Sequence, residues 1–537
     1  MKNINNIILA LLLITLTISC TKEPEFFSEP YSDAAPNIGI TIDRSQFPTP
    51  SIGAPGIEVT MKVTGLEQYK DKAKFQFNGQ RAEIISITNS EVKVKVPLFA
   101  STGPTSIIVD DVIVFGPLFT VEGVVRIDPT WVAHIGTNGS VINRWVNQDG
   151  RVIYVGGFTN YNNKGLVRRN NRLVRTYSNG NFDGTWRTGE GANGELHSVV
   201  QIGNRYYIGG GFRGYGEKRE NISNLTSLNL NGEIDTLGVH PWRRPDQADT
   251  IKYVPFFNGG FNTTVTNLFE SDGKLLVGGH DIRYYVSRDY LQSNYRETRD
   301  TTILDSVEIR HLARLNLDGS IDKTFRFDGS GKAFAGGNGR ATIFKHNTGP
   351  LKDKIIVYGS FTTFDGVSAG RITRLNADGT IDNTFNPGGA GADFNIYRVT
   401  YNETTNKYMV VGEFNNFNGT PIQQICRLNA NGTLDNTFTP KVFTGGQPTF
   451  AQQLSDGNIV ISGLFYAYDN VTRGRFMIVD SSGNLIPELN TTGEFQGSLN
   501  QVIETESEDG KRALLLLGSF RMFDSEPADN ITRIILE

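Results

Sequence analysis

Apolar residues in this chain come in short runs or in strict alternation, and polar residues gather in the turns between them. Val92, Val94 and Val96 alternate with Lys93 and Lys95, the period of a strand with one wet face. Val357-Tyr358-Gly359-Ser360-Phe361 and Val410-Val411-Gly412-Glu413-Phe414 are apolar runs interrupted by one glycine. From residue 124 onward helical periodicity is almost absent. Short runs of Val, Ile, Tyr and Phe separated by regular turn signals predict an all-β fold.

Those runs belong to a repeat. Arg374–Phe385 reads Arg-Leu-Asn-Ala-Asp-Gly-Thr-Ile-Asp-Asn-Thr-Phe, and the phrase returns at Arg314–Phe325 and Arg427–Phe438. A period of about fifty residues marks supersecondary units that cannot bury their apolar faces alone and must stack. Each unit reads as four strands. Leu375 opens the first, and Asp378-Gly379 supplies the positive φ angles of a tight hairpin. Ile381–Phe385 is the second, Ile396–Tyr401 the third and Tyr408–Phe414 the fourth. A glycine near the end of the fourth strand recurs at Gly156, Gly210, Gly278, Gly359, Gly412, Gly463 and Gly518. Seven copies predict a seven-bladed β-propeller, since such rings hold about 4–8 four-stranded sheets. Glycine in a strand marks close approach of another backbone, expected here at the crowded central channel. Ile127-Asp128-Pro129-Thr130-Trp131 matches a second strand without its first, and Ile531–Leu536 matches a first strand and nothing more. The C-terminal strand is therefore expected to complete the blade begun near Ile127 and remove a free sheet edge.

The repeat phrase resembles the delta-60 repeat family, whose members are predicted β-propellers. The resemblance covers residues 123–537, is strong around Asp322, Asp382 and Asp435, and is weaker around Asp235 and Leu485-Ile486-Pro487. Residues 38–122 carry different phrasing, including Val59–Gly65, Phe75–Gly79, Val92–Pro97 and Gly116–Val121. They resemble an immunoglobulin-like IPT/TIG β-sandwich, a domain that the resemblance implies is a spacer. Residues 1–19 hold Lys2, the apolar run Ile7–Ile18 and then Ser19 before Cys20. The run is too short to span a bilayer and reads as a signal peptide. A small residue followed by Cys resembles a bacterial lipoprotein signal, with Cys20 as the lipidated residue. Residues 20–37, with Pro24, Pro30 and Pro36, read as a tether. Thr21–Glu25 resembles the acidic-flanked stretch that sends Bacteroidetes lipoproteins to the cell surface.

Composition narrows function by exclusion. Net charge is −4, from 52 basic and 56 acidic residues, which is not the basic footprint of a nucleic-acid binder. Of two cysteines, Cys20 is assigned to the anchor and Cys426 reads as a small buried hydrophobe. The six histidines, His134, His197, His240, His280, His311 and His346, form no zincin motif. No P-loop is present. Asn179–Trp186 is similar to the Asp-box of sialidase propellers, but the spacing differs and the same slot holds the repeat phrase elsewhere. Asn376–Asp382 has oxygen ligands at loop spacing but lacks the bidentate Glu of an EF-hand. It reads as turn structure, so no metal and no cofactor are expected.

The informative departure is where the repeat swells. Residues 237–262 follow a second strand and residues 281–310 follow a fourth. Parity in a four-strand meander puts both insertions on one face of the ring, beside the third blade. They carry Trp242, Arg243, Arg244, Tyr253, Phe256, Phe257, Phe261, Tyr284, Tyr285, Tyr290 and Tyr295. Aromatic faces stack on sugar rings, Arg adds planar donors, and the same types anchor protein interfaces. The alternative is that these rings pack the insertions onto the scaffold. Trp242, Arg243, Arg244, Tyr253, Tyr284, Tyr285 and Tyr290 are the candidate ligand-binding residues.

The layout of anchor, spacer and propeller resembles accessory lipoproteins of Sus-type outer-membrane importers. It implies a surface-exposed, non-enzymatic protein that binds an oligosaccharide or peptide nutrient and passes it to transporter proteins. Two rivals stand beside it. One is a protein–protein docking or adhesion component. The other is a propeller glycosidase or lyase, which would need carboxylates such as Asp246, Asp249 and Asp281 to converge.

Overall fold

The computed structural model describes residues 38–537 except 168, 241–245, 247, 249–250, 258 and 292–300, with backbone alone for 289–291 and 301–303. The expected signal peptide, Cys20 and the expected tether lie outside the described residues. Among the described residues no helix is long and apolar enough to cross a membrane.

Eight strands between Thr41 and Val121 pair in one continuous sheet. They close on a core of their own, in which Val59, Phe75, Phe77, Val92, Val94 and Phe119 are buried. Val92 and Val94 face inward while Lys95 is exposed, as alternation requires.

The rest of the described chain is a set of sheets with one plan. Six have three main strands each. The first three are Val141–Val146, Val152–Gly156 and Leu173–Thr176; then Glu195–Ile202, Arg205–Gly211 and Leu225–Asn229; then Asn267–Ser271, Lys274–Gly278 and Leu312–Leu315. The next three are Ala341–Lys345, Ile355–Gly359 and Ile372–Leu375; Ile396–Asn402, Lys407–Gly412 and Ile425–Asn429; and Pro448–Gln453, Ile459–Gly463 and Phe476–Val479. The seventh orders Gln496–Glu506, Arg512–Phe523, Ile531–Leu536 and Val125–Ile127. First strands of different sheets touch through side-chain hydrogen bonds, among them Thr400 Oγ1 to Ala451 O (2.8 Å) and Gln452 Nε2 to Val502 O (2.8 Å). Gln501 Nε2 to Asn143 Oδ1 (3.0 Å) joins the seventh sheet to the first. Sheets stacked this way around a shared axis make a β-propeller.

The structural blade is out of phase with the repeat phrase. Leu375 ends a strand instead of opening one, and it is the third strand of its sheet. Ile381–Phe385 is not a full strand, because pairing stops after the single bridge Leu375–Ile381. The cause is Asp382. Its Oδ1 accepts from both the amide (3.0 Å) and the hydroxyl (2.6 Å) of Thr384, which turns the chain out of the ladder. Ile396 and Lys407 then begin the first two strands of the following sheet. The Asp378-Gly379 turn also differs from expectation: Gly379 alone has positive φ, at 84°. Asp378 instead holds the turn by accepting from Thr380 N (2.9 Å) and Oγ1 (2.7 Å).

The recurring glycines answer a neighbour inside their own sheet, not the channel. A Cβ on Gly412 would lie 2.1 Å from Asn395 O, and on Gly210 2.1 Å from Glu195 O. In both cases the adjacent first strand begins with a register shift, at Ile396/Arg398 and Leu196/Ser198, and the bulge pushes its carbonyl across the partner strand. Gly278 is the exception, because its space is taken by Ile343 of the next sheet.

The phrase itself is an interlock. Arg374 Nε donates to Asp382 Oδ2 (2.8 Å), and its Nη2 donates to Thr384 Oγ1 (3.1 Å). Nη1 reaches Ala430 O of the next sheet's turn (2.6 Å), and the guanidinium lies over Phe385 (5.0 Å). Lys354 completes the set on Asp382 (2.9 Å). Arg314 with Asp322 and Arg427 with Asp435 repeat every element of this. Arg175, Asp183, Thr185 and Trp186 do the same in the first unit, so Asn179–Trp186 is the repeat phrase. The next turn's glycine packs on the same ring: a Cβ on Gly432 would meet Phe385 at 2.7 Å. Where the phrase has decayed, other groups substitute. Ser227 stands at the Arg position of the second sheet, and Arg205 pairs with Asp235 instead. In the sixth, Asn490 clamps Ile478 N (2.9 Å) and O (2.6 Å).

Closure uses the same parts from opposite ends of the chain. Ile534 pairs with Ile127, Ile535 with Arg126 and Leu536 with Val125. Arg533 pairs with Asp128, donates to Thr130 Oγ1 (3.0 Å) and lies over Trp131 (5.2 Å). The N-terminal domain rests on the loops of the sixth and seventh sheets. Thr102 N donates to Thr491 O (2.8 Å), and buried Arg473 donates to Phe99 O (3.2 Å).

Two outcomes follow from this arrangement. Deleting residues 531–537 removes buried Ile531, Ile534 and Ile535 and leaves Val125–Ile127 unpaired. At roughly 1.5–3 kcal/mol per buried side chain, the loss is several kcal/mol, and a truncated protein that melts with the full chain would refute closure. The second outcome concerns acid. Burial opposes ionisation of Asp322, Asp382 and Asp435, but Thr hydroxyls, Lys and Arg outweigh it and hold all three well below the ordinary carboxylate range. Depressed carboxylates stabilise the fold above the unfolded pKa of about 4, and that contribution is lost as pH falls below it. The urea midpoint should stay level from about pH 7 to 5 and drop below about pH 4. Asp382→Asn should start lower and drop less steeply.

Candidate functional site

The two insertions do meet, as parity requires. Thr236–Val239 and Lys252–Pro255 form a hairpin. Tyr284–Leu291 and Thr301–Glu308 form a second, longer one, and Gly260–Phe261 of the first insertion joins its edge. At the root, Phe261 packs against Tyr285 (5.1 Å between centroids) and Phe257 against Tyr207 (5.8 Å).

The candidate residues divide. Tyr253 and Tyr284 are exposed, at 57% and 47%. Tyr285 is 1% exposed and donates its hydroxyl to Gly319 O, so its ring is core and has no open face to offer a ligand. Its role belongs to the repeat. Tyr161 donates to Gly180 O (2.6 Å), Tyr215 to Gly232 O (2.7 Å) and Tyr468 to Gly483 O (2.7 Å), each the glycine of its own sheet's turn. Phe257 and Phe261 are likewise core, and Phe256 lies under the Arg205 guanidinium (4.0 Å). Trp242, Arg243, Arg244 and Tyr295 lie outside the described residues, as does the side chain of Tyr290. Asp249 is outside them too, while Asp281 pairs with Arg340 (3.2 Å).

What sequence reasoning missed is a cleft of about 900 Å³ beside the first insertion. It opens between the first and second sheets, on the face that carries the insertions. Arg169 comes from one sheet's loop, Glu190 from the connection between the sheets, and Glu217, Lys218 and Arg219 from the other's loop. Arg219 pairs with Glu190 (3.0 Å) across it. Lys218 Nζ donates to Tyr253 O (3.0 Å), and Lys252 pairs with Glu220 (3.0 Å), so the insertion hairpin is fastened to the cleft wall. Leu166 and Val167 stand exposed near Arg169. A trough of both charge signs beside exposed aromatic and aliphatic groups suits a polar ligand of extended shape. The sequence signal was the local crowding of charge at Glu217–Glu220, which reads as an ordinary wet loop.

Other reactive groups are engaged elsewhere. Cys426 is fully buried, and burial pushes its thiol well up. His346 Nε2 bonds Tyr408 Oη (2.8 Å). Burial, then Arg374 and Lys345, pulls this imidazole down to about 4. Among the described residues no three His, Cys, Asp or Glu side chains gather as metal ligands would.

A family model described as a domain of unknown function (DUF5122) β-propeller matches residues 301–325, 353–385 and 404–438. No curated protein matches the chain. Among solved structures, a structural-genomics protein of unknown function from Bacteroides thetaiotaomicron VPI-5482 is 12% identical, with 92% of this chain and 99% of that one covered and a TM-score of 0.23. Auxiliary nutrient binding proteins from Bacteroides ovatus ATCC 8483 and B. thetaiotaomicron VPI-5482 are 12% and 10% identical. Each covers 72% of this chain and is itself covered to 99% and 99%, with TM-scores of 0.19 and 0.20.

Tyr285 and Tyr284 should separate under mutation. Tyr285→Phe loses the bond to Gly319 O and should cost about 1 kcal/mol in chemical denaturation. Tyr284→Ala should stay within about 0.5 kcal/mol of the parent. Equal stability of the two variants would contradict the division made here.

Proposed function

We propose that this protein is a lipid-anchored, surface-exposed outer-membrane component that captures an oligosaccharide or peptide nutrient for a Sus-type importer. In this reading Cys20 carries the lipid and residues 21–37 are the tether. An IPT/TIG-like domain spaces a seven-bladed propeller of delta-60 type from the membrane. The role is binding without turnover. The observation that carries the reading is the charged cleft of about 900 Å³, fastened to an insertion that presents exposed Tyr253. Ligand sites are concave and combine apolar surface with a few directed polar groups, and loops on a rigid scaffold are where binding concentrates.

Calorimetric titration with a panel of oligosaccharides and peptides tests it. Tyr253→Ala and Arg219→Ala should each weaken the bound member about tenfold or more, the scale of an interface hot spot. Cys20→Ala should release the protein from the membrane fraction. A panel that does not bind, with co-purification of transporter proteins instead, would move the assignment to docking. Turnover of any panel member would move it to catalysis.

A further inference from the structure

The insertions of the third sheet and the N-terminal domain on the sixth and seventh stand on one face of the ring, on opposite sides. The mouth of the central channel lies between them. A cavity of about 250 Å³ opens there, lined by His280, Arg340, Tyr358, Ser360, Asn395 and Tyr397. It is separate from the charged cleft, with which it shares no residue.

We propose that this mouth is a second binding site and that it takes the end ring of a neutral oligosaccharide. Size is the first argument. At about 250 Å³ the cavity is below the roughly 300–1,000 Å³ of sites for drug-sized ligands, so it admits one ring and not a chain. Surface character is the second. Tyr397 lines the cavity and is 40% exposed. Aromatic faces left open beside directed polar groups match a sugar, which has one apolar face and an equatorial ring of hydroxyls. Those polar groups are in place. Asn395 Nδ2 donates to Glu413 Oε2 (3.4 Å). Glu413 and Gln447 both approach the Tyr397 hydroxyl. Ser360 Oγ accepts from Arg340 N (3.0 Å), and Arg340 and Asp281 hold each other at 3.2 Å.

Charge favours a neutral ligand over an anion. The Arg340 guanidinium is already opposed by Asp281. Burial, then the Arg340 charge, lowers the His280 imidazole from its ordinary value, which disfavours its charged form. The carboxylate nearest Tyr397, Glu413, would repel an anionic ring.

The probes are cellohexaose, maltohexaose and xylohexaose, titrated calorimetrically into the full mature chain, with a neutral hexapeptide as control. At least one hexasaccharide should bind saturably while the hexapeptide leaves the mouth variants indistinguishable from the parent. Tyr397→Ala should weaken the bound sugar about tenfold or more. Tyr397→Phe should retain most of the affinity, because the stacking face remains. Arg340→Ala should also weaken binding, with unchanged melting, since its ion pair is exposed. Tyr253→Ala, beside the charged cleft, should leave this binding intact. Saturable binding that survives both Tyr397→Ala and Arg340→Ala overturns the proposal, and so does failure of all three sugars to bind. Sugar binding lost with Tyr253→Ala alone would overturn it while leaving the capture reading standing.

Discussion

Everything in the ring depends on a buried arginine that answers to two sheets at once. Arg374 neutralises Asp382 of its own sheet and donates to Ala430 O of the next. Neither bond is optional once the group is buried, because an unpaired buried charge costs several kcal/mol. The pair therefore contributes register more than net stability. It fixes how far each sheet is rotated against its neighbour, and Phe385 under the guanidinium sets the depth at which the next turn's glycine seats. Substitution elsewhere obeys the same rule. Where the second sheet has Ser227 in place of the arginine, Asp235 pairs with Arg205, and where the sixth has neither partner, Asn490 binds the backbone groups.

These clamps sit toward the face where the Asp-Gly turns lie. The other face carries no such obligation, and its loops are free to lengthen. That asymmetry explains why the insertions, the charged cleft, the channel mouth and the seat of the N-terminal domain all share one side. A scaffold locked at one face can vary at the other without disturbing its core.

Most of the fold was legible because its signals are local and repeated. Period-two alternation, turn residues and the recurring phrase are enough to name strands, stacking and closure by the last strand. Phase was not legible. Nothing in Ile381–Phe385 says that Asp382 will bend its own strand out of the ladder. The site was legible only as a region. Tyr285 looked like an insertion residue because it follows Gly278 by seven positions, whereas Tyr161, Tyr215 and Tyr468 follow their glycines by five. With that slot recognised, its burial could have been foreseen. The cleft and the mouth could not, since each gathers residues from separate sheets whose neighbourhood exists only after the ring forms.

The shared seventh sheet also imposes an order of events. Val125–Ile127 waits for Ile531–Leu536, so the ring cannot shut until that strand has been made. Six sheets are complete before their last partner exists, and Asp128 is without its arginine until Arg533 arrives. Closing a loop of this length from an open coil is entropically costly, but stacked sheets bring the two ends together first. Completion is then a final latch, and a chain cut short by a few residues is an open arc with an exposed edge at each end.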